Sequence, residues 1–284
     1  MTLQPLRREI GEIVLNDGDF TLLVKIVKEH TGIVIGDNKR QMLYARLAKR
    51  LRKMGMTSFH QYIDLLNGPE GGDELGHCLN AVTTNLTKFF REIHHFEHLE
   101  QVALPEICAK RAATGRKLRI WSAGSSSGEE PYTLAMVLQS AVPDLARWDA
   151  KILASDIDTD MVRRGAEGIY DARAIEGIPD RMRRYLDMNS PAPGQMRVND
   201  VLRPLIAFKP LNLLAPWPMK GKFDIIFCRN VVIYFDQETQ AKLFNRFADI
   251  IADDGYLYIG HSESLFHVCD RFKAIGKTIH RKVK

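Results

Sequence analysis

Residues 118–138 read LRIWSAGSSSGEEPYTLAMVL. The run KLRIW (117–121) is short, apolar and strand-like, SAGSSSG is a glycine and serine loop, and EEPYTLAMVLQS has helical character. A strand that ends in a glycine loop and continues as a helix predicts an open α/β sheet. Such sheets bind ligands beyond the carboxyl ends of their strands, and glycines there let a ligand approach the backbone. Working outward, a second strand KILASD (151–156) precedes a helical segment over Thr159–Glu167. Next come FDIIFC (223–228), a helix over Glu238–Ile251, a turn at Asp253-Asp254-Gly255 and a strand YLYIG (256–260). Strands alternating with helices predict a mostly parallel sheet covered on both faces, in the α/β class. The tail, FKAIG followed by KTIHRKV, reads as a final hairpin. Between Gly168 and about Phe208 the alternation breaks at Pro179 and at SPAPG (190–194), which predicts a small insertion with some β structure.

Upstream, the first ~85 residues read as helices only. Asp17–His30 carries apolar Phe20, Leu23, Val24 and Val27 and stops at Gly32, a helix-end glycine. Asp37 is placed to cap a helix running to Met54, and Thr57 to cap SFHQYIDLLN, which ends at Gly68-Pro69. Gly71-Gly72 marks a loop before a helix over Glu74–Thr83. Residues 1–84 are thus expected as a helical domain, 85–110 as a bridge, and 111–284 as the α/β domain with its insertion at about 168–208.

The chain has 284 residues, 45% of them hydrophobic and 8% aromatic, with 40 Lys+Arg against 35 Asp+Glu and a net charge of +5. That composition excludes intrinsic disorder, and the length suits two domains. The longest apolar runs, such as Val231–Phe235, fall well short of a membrane span, and MTLQPLRREIGEIV lacks a secretory apolar core. Cys78, Cys108, Cys228 and Cys269 lie far apart without a CxxC, which suits a reducing, cytoplasmic setting. Cys228, at a strand end, reads as packing.

The glycine loop admits three chemistries. A nucleotide-phosphate loop would need GxGxxG or GK[ST], neither of which is present, and Glu129 and Glu130 would repel a phosphate at the helix N-terminus. A serine hydrolase would use Gly124-Ser125-Ser126-Ser127-Gly128 as a GxSxG elbow with His261 or His267. No HGGG-like segment precedes it, and the glutamates oppose an oxyanion. S-adenosylmethionine is phosphate-free and carries a sulfonium and an amino group, so nearby carboxylates help. An acid ending the second strand then serves the ribose. Asp156 stands there, thirty-two residues after Gly124, against the ~20 of a compact dinucleotide unit; the linker AVPDLARWDA accounts for the excess.

Two further features carry charge. The helix at 39–53 has seven basic residues and no acid. Lys39, Arg46, Lys49, Arg50 and Lys53 share one face, while Leu43, Leu47 and Leu51 form the buried stripe. A solvated face, a nucleic-acid patch and a dock for an acidic partner all fit this pattern, although no aromatics interleave as nucleic acid would favour. His94 and His98 form an i,i+4 pair, but no Cys or carboxylate motif and no HExxH completes a metal site, so no metal is expected.

With TTNLTKFFRE (83–92), WSAGSSSGEEPYT (121–133), ASDID (154–158), FDIIFCRNVVIYF (223–235) and GYLYIGHSES (255–264), the chain resembles the CheR family of chemotaxis receptor methyltransferases over roughly residues 17–283. The resemblance implies a small all-α N-terminal domain and a class I S-adenosylmethionine-dependent methyltransferase domain, Rossmann-like with a C-terminal antiparallel strand and a small β insertion. It implies methyl transfer from S-adenosylmethionine to glutamate side chains of chemoreceptors. Asn85, Thr87 and Arg91 would contact the cofactor from the bridge, Glu130 its methionine moiety, Asp156 its ribose, and Asn212 and Leu213 its adenine. Arg229 and Asn230 would line the site beneath the methyl group, with Arg91 and Tyr234 facing the reacting sulfur and the incoming glutamate. On this reading Arg46, Lys49, Arg50 and Lys53 dock the receptor helix, and the β insertion is a place for a receptor C-terminal tail. A monomer that neither inserts in a membrane nor binds nucleic acid is expected. A nucleic-acid methyltransferase and a non-catalytic adaptor that binds S-adenosylmethionine are the rival readings. CRN stands where an amino-group methylase carries NPPY, and the presence of Arg91 and Tyr234 argues against an adaptor.

Overall fold

A computed structural model describes residues 13–188 and 192–283, in two compact units that divide after Thr83. The SPAPG loop at 190–194 lies partly outside the described residues.

The first unit is helical: α1 (Asp17–Thr31), α2 (Arg40–Lys53), α3 (Phe59–Asn67) and α4 (Gly71–Val82). Asn16 caps α1, its Oδ1 accepting from the Asp19 N–H at 2.8 Å, and Gly32 ends it in the left-handed region at φ 74°. The two caps expected downstream differ. Asp37 heads a short 3-10 turn, Asp37–Lys39, and makes no cap; Ser58, not Thr57, precedes α3, also without a side-chain cap. The helix expected from Glu74 starts at Gly71, where a Cβ would run into the carbonyl oxygen of Leu65. Only glycine lets the two backbones come that close. Leu43, Leu47 and Leu51 are fully buried with Leu23, Val27, Phe59 and Tyr62, as the helical stripe requires.

The second unit begins with α5 (His94–His98), which runs through a π-helical turn into α6 (Leu104–Arg111). Then follow β1 (Lys117–Ala123), α7 (Glu129–Ala141), β2 (Asp149–Asp156), α8 (Thr159–Glu167), β3 (Ile169–Asp171), β4 (Leu186–Asp187) and β5 (Gln195–Val198). The chain closes with β6 (Ile206–Pro210), β7 (Phe223–Cys228), α9 (Gln237–Ile250), β8 (Ile251–Ile259), β9 (Phe272–Gly276) and β10 (Ile279–Lys282). The main sheet is ordered β6-β2-β1-β7-β8-β10-β9. β1 pairs parallel with β2 and with β7, whereas β10 runs antiparallel to both its neighbours. The order reverses between β1 and β7, so the ligand crevice is expected beyond the carboxyl ends of those strands. β7 is buried throughout, as a strand covered on both faces must be.

β3, β5 and β4 form a separate antiparallel sheet, whereas β6 pairs parallel with β2. The separate sheet therefore ends before Ile206 rather than near Phe208. Asp253-Asp254-Gly255, expected as a turn, lies inside β8, where the register against β7 shifts between Phe223 and Ile225. Lys282 and Lys222 hold Asp253, Lys110 and Arg111 hold Asp254, and Gly255 lies where a Cβ would meet the Asp224 carbonyl oxygen at 2.8 Å.

Replacing Leu47 with Ala removes a fully buried side chain from the first unit. It is expected to cost about 2–5 kcal/mol in denaturant unfolding, and a loss under 1 kcal/mol would show that α2 does not carry that core.

Candidate active site

The loop after β1 is shaped by Gly124 at φ 81° and Gly128 at φ 99°. A Cβ on Gly124 would meet Val231 Cγ2 at 2.3 Å, so glycine there also lets the loop meet the turn after β7. The loop amides are already committed: Gly124 N and Ser125 N donate to the Ser155 carbonyl at 2.8 and 2.9 Å, and Ser126 N to Asp156 Oδ2 at 2.7 Å. A phosphate would find none of these donors free, and Glu129 and Glu130 stand beside it. Ser126, the central serine of GxSxG, donates to the Asn85 carbonyl at 3.1 Å, while His261 engages Glu92. The hydrolase reading is left without a base on its nucleophile.

Asp156 ends β2. Burial pushes its carboxyl up to about 6, and the amides of Asp158 and Ser126 pull it partly back. Asp158 caps α8 by accepting from Asp160 N and Met161 N, and it accepts from Asn85 Nδ2 at 2.7 Å. Asn85 is thereby fixed between Asp158 and Ser126. Leu211 N donates to the Asp156 carbonyl at 2.9 Å, which brings the turn holding Asn212 and Leu213 next to Asp156. Asn212 Oδ1 caps Leu214 N, and Leu213 is buried with its carbonyl held by Arg246 and Trp217. Thr87 lies half-buried on the segment between Asn85 and Arg91.

At the end of β7 the Arg229 side chain turns inward. Its Nε donates to Glu130 Oε2 at 2.7 Å, and its Nη1 to the Arg91 carbonyl at 2.6 Å and to His95 Nδ1 at 2.9 Å. Glu130 accepts on its other oxygen from Ser122 Oγ at 2.7 Å. Because arginine only donates, His95 Nδ1 is the acceptor and its Nε2–H donates to Thr278 Oγ1 at 2.8 Å. Burial, and then the Arg229 charge, push His95 down to about 2, so it is neutral. Phe96 and Phe227 rings flank the guanidinium at 5.3 and 5.7 Å.

Arg91 is presented by a strained turn. Its neighbours Phe90 and Glu92 have φ of 51° and 58°, a region costly for residues with side chains. Phe90 N donates to Thr133 Oγ1, Arg91 Nη1 donates to the Leu86 carbonyl at 2.8 Å, and Glu92 Oε1 pairs with His261 Nδ1 at 2.9 Å. Burial raises the Glu92 carboxyl, but His261 and Arg229 outweigh it and hold the group below its usual range. Asn230 takes φ 59°, and Tyr234 ends the following 3-10 turn, half-buried.

Of the residues expected to dock a partner, Arg46 and Arg50 are engaged inside the first unit. Arg46 Nη1 donates to the carbonyls of Val82 and Thr83, and Arg50 is paired with buried Glu74, which also accepts from Tyr62. Lys49 and Lys53 remain exposed. Arg46 and Arg50 thereby also fasten α2 to α4 and the residue after it. Ligand atoms of Glu92, His94 and His95 lie within 4.8 Å of one another, but the Arg229 guanidinium already supplies a cation there. His98 instead meets the Tyr258 hydroxyl.

Three side chains bonded to the turns of this site had no role in the sequence reading: Glu92, His95 and Glu263, which accepts from the Asn230 amide. Glu263 lies in the stretch GHSES past the apolar strand, and an acid so close to a buried strand end was the available signal.

The residues at the carboxyl edge suit S-adenosylmethionine. Two buried carboxylates, Glu130 and Asp156, and the orphaned buried Oγ of Ser125 offer acceptors for ammonium and ribose groups. With the sheet order and its single antiparallel strand, they define a class I S-adenosylmethionine-dependent methyltransferase. The family model "CheR methyltransferase, SAM binding domain" matches residues 85–281, and "CheR methyltransferase, all-alpha domain" matches 18–83. A probable chemotaxis protein methyltransferase of Rhizobium etli is 43% identical, over 90% of this chain and 96% of its own. The chemotaxis protein methyltransferase of Escherichia coli is 40% identical over 94% and 92%, and chemotaxis protein methyltransferase 2 of Pseudomonas aeruginosa 38% over 92% and 92%. The chain belongs to the CheR methyltransferase family.

Replacing Arg229 with Met strands the buried Glu130 carboxylate. A loss of about 3–5 kcal/mol in stability without cofactor is expected, largely recovered when Glu130→Gln is added. Additive losses from the two substitutions would contradict the pairing.

Proposed function

We propose that this enzyme esterifies glutamate side chains of chemotaxis receptors, acting as a cytoplasmic monomer. The observation that carries the reading is Arg91, held on a strained turn at the carboxyl edge of the sheet by the Arg229–Glu130 pair. The names of the relatives, chemotaxis protein methyltransferases, support the receptor as acceptor.

S-adenosylmethionine supplies an electrophilic methyl on a sulfonium, whose leaving thioether is neutral. Glutamate, with a reference pKa near ~4.3, is already ionised at neutral pH, so no general base is required. The work left to the protein is orientation, which supplies up to ~7–11 kcal/mol in well-aligned systems. Arg91 is assigned to the incoming carboxylate through its paired donors, in a positioning grip that leaves one oxygen available. Tyr234 is assigned to the carboxylate or the methionine end. Glu130 and Asp156 are assigned to the amino group and the ribose, Asn85, Thr87, Asn212 and Leu213 to the remaining cofactor contacts, and Arg229 and Asn230 to the floor beneath the methyl. Arg229 acts there through the backbone it holds, because its guanidinium is spent on Glu130, the Arg91 carbonyl and His95.

Arg46, Lys49, Arg50 and Lys53 are assigned to an acidic receptor helix, with Lys49 and Lys53 the exposed charges of the set, and nucleic acid is disfavoured for lack of interleaved aromatics on that face. The sheet β3-β5-β4 has two short edges, where an extended receptor tail would add as a strand. No helix among the described residues is long and apolar enough to cross a membrane.

The test uses methyl-labelled cofactor with chemoreceptor-bearing membranes, followed by base and measurement of volatile methanol. Base-labile label on the receptor, abolished in Arg91→Ala, is expected. Label that survives base, or that appears on nucleic acid, would overturn the reading.

The Asp156 carboxyl, near 6, makes a second prediction. It accepts best from ribose hydroxyls when ionised, so cofactor affinity should fall several-fold as pH drops from about 7.5 to 5.5. Titration calorimetry should show that slope in the native enzyme and a flat response in Asp156→Asn; a flat native profile would remove Asp156 from the ribose.

A further inference from the structure

Beyond β8 the chain runs Gly260-His261-Ser262-Glu263, and this short stretch touches both turns that carry the proposed reactive side chains. Glu263 is buried, 7% exposed, yet no cation pairs with it among the described contacts. Its acceptors are filled by backbone instead. Oε1 accepts from Val231 N at 2.8 Å and Val232 N at 2.9 Å, and Oε2 from Asn230 N at 3.0 Å and Gly260 N at 2.5 Å. Three of those four amides belong to consecutive residues, the first of them Asn230 at φ 59°. A carboxylate ringed by amides is a charge-assisted anchor, stronger than a neutral turn bond. Two residues away, His261 Nδ1–H donates to Glu92 Oε1 at 2.9 Å, and the His261 backbone N–H reaches the same oxygen at 3.4 Å.

Gly260 itself fits only because it lacks a side chain: a Cβ there would meet Asn230 Nδ2 at 2.7 Å. The stretch is therefore pressed against the Asn230 turn and fastened to the Glu92 turn at once. Nothing in the cofactor chemistry requires an acid in a place so enclosed by backbone amides.

We propose that Glu263 is a positioning residue, and that with His261 it fixes the turn leading to Tyr234 against the turn presenting Arg91. Resting on the roles given to Arg91 and Tyr234 above, the clamp sets where an incoming carboxylate stands relative to the methyl group. Glu263→Gln keeps the shape but turns an NH2 toward backbone N–H donors, so it should loosen the Asn230–Val232 turn.

The experiment is a double-mutant cycle on receptor methylation, joined to amide exchange. Glu263→Gln should lower kcat about 10- to 100-fold, in keeping with the cost of a 1 Å misplacement. The KM for receptor should change less than threefold. The loss should nearly vanish in a Tyr234→Phe background, since a residue acting through another shows no effect once that other is gone. Amides of Asn230–Val232 should exchange at least tenfold faster in Glu263→Gln. His261→Ala, at a side chain 66% exposed, should show the same coupling to Arg91→Lys, and it decides the matter if Glu263→Gln does not fold. Wild-type kcat in the single variants, or losses that multiply in the double variants, would overturn the proposal. If Tyr234→Phe and Arg91→Lys themselves turn over normally while Asn230–Val232 exchange still depends on Glu263, the roles of those two side chains fail and the clamp stands as architecture only.

Discussion

The site depends on one buried ion pair. Arg229 follows the end of β7 and Glu130 lies in the first turn of α7; their side chains are 3% and 9% exposed and meet at 2.7 Å. Such a pair is weak evidence for stability, since desolvation offsets the Coulombic gain, but it is expensive to break. What it supplies is specification. With Nε on Glu130, the Arg229 fork is oriented, and its Nη1 then fixes the Arg91 carbonyl and the His95 tautomer. Through His95 the same chain of bonds reaches Thr278, at the start of the C-terminal hairpin strand. Loss of the pair would release the loop after β1, the turn at Arg91 and the edge of the sheet together.

Strain gathers at the same edge. Phe90, Glu92, Ser126 and Asn230 all hold positive φ without being glycine, at about 1–3 kcal/mol each. Each is over-determined by its surroundings: Thr133 on Phe90, His261 on Glu92, Asp156 on Ser126 and Glu263 on Asn230. A relaxed turn would satisfy the backbone as well, but it would not hold Arg91 and the residues after β7 at a common edge. The strain thus falls on the turn at Arg91, the loop after β1 and the turn after β7.

The sheet was legible because its signals are local. KLRIW, KILASD and FDIIFC are apolar over the length of a buried strand, and each becomes one. Gly32 marked the end of α1 because a left-handed residue terminates a helix by itself. What failed needed tertiary knowledge. Asp253-Asp254-Gly255 has turn composition, but Lys282, Lys222, Lys110 and Arg111 hold those acids within a strand. Helical spacing put Arg46, Lys49, Arg50 and Lys53 on one face correctly, yet spacing does not reveal that α4 brings Glu74 to Arg50. The positions of the acids Glu130 and Asp156, at the start of the helix after the loop and at the end of the second strand, were readable from the local pattern. The partners of Arg229 and the amide ring of Glu263 were not, because backbone donors leave no trace in a sequence.

The commitment of the loop amides to Ser155 has a consequence for selectivity inside a cell. Adenine nucleotides share the adenosine half of S-adenosylmethionine and are abundant, so any site that recognises only adenosine would be flooded by them. Here three loop amides, of Gly124, Ser125 and Ser126, are paired with the end of β2, and the neighbouring helix begins with two carboxylates. With the amides of Gly124, Ser125 and Ser126 already paired, the loop gives a triphosphate no main-chain cradle at those positions, whereas a methyl donor without phosphates loses nothing by it.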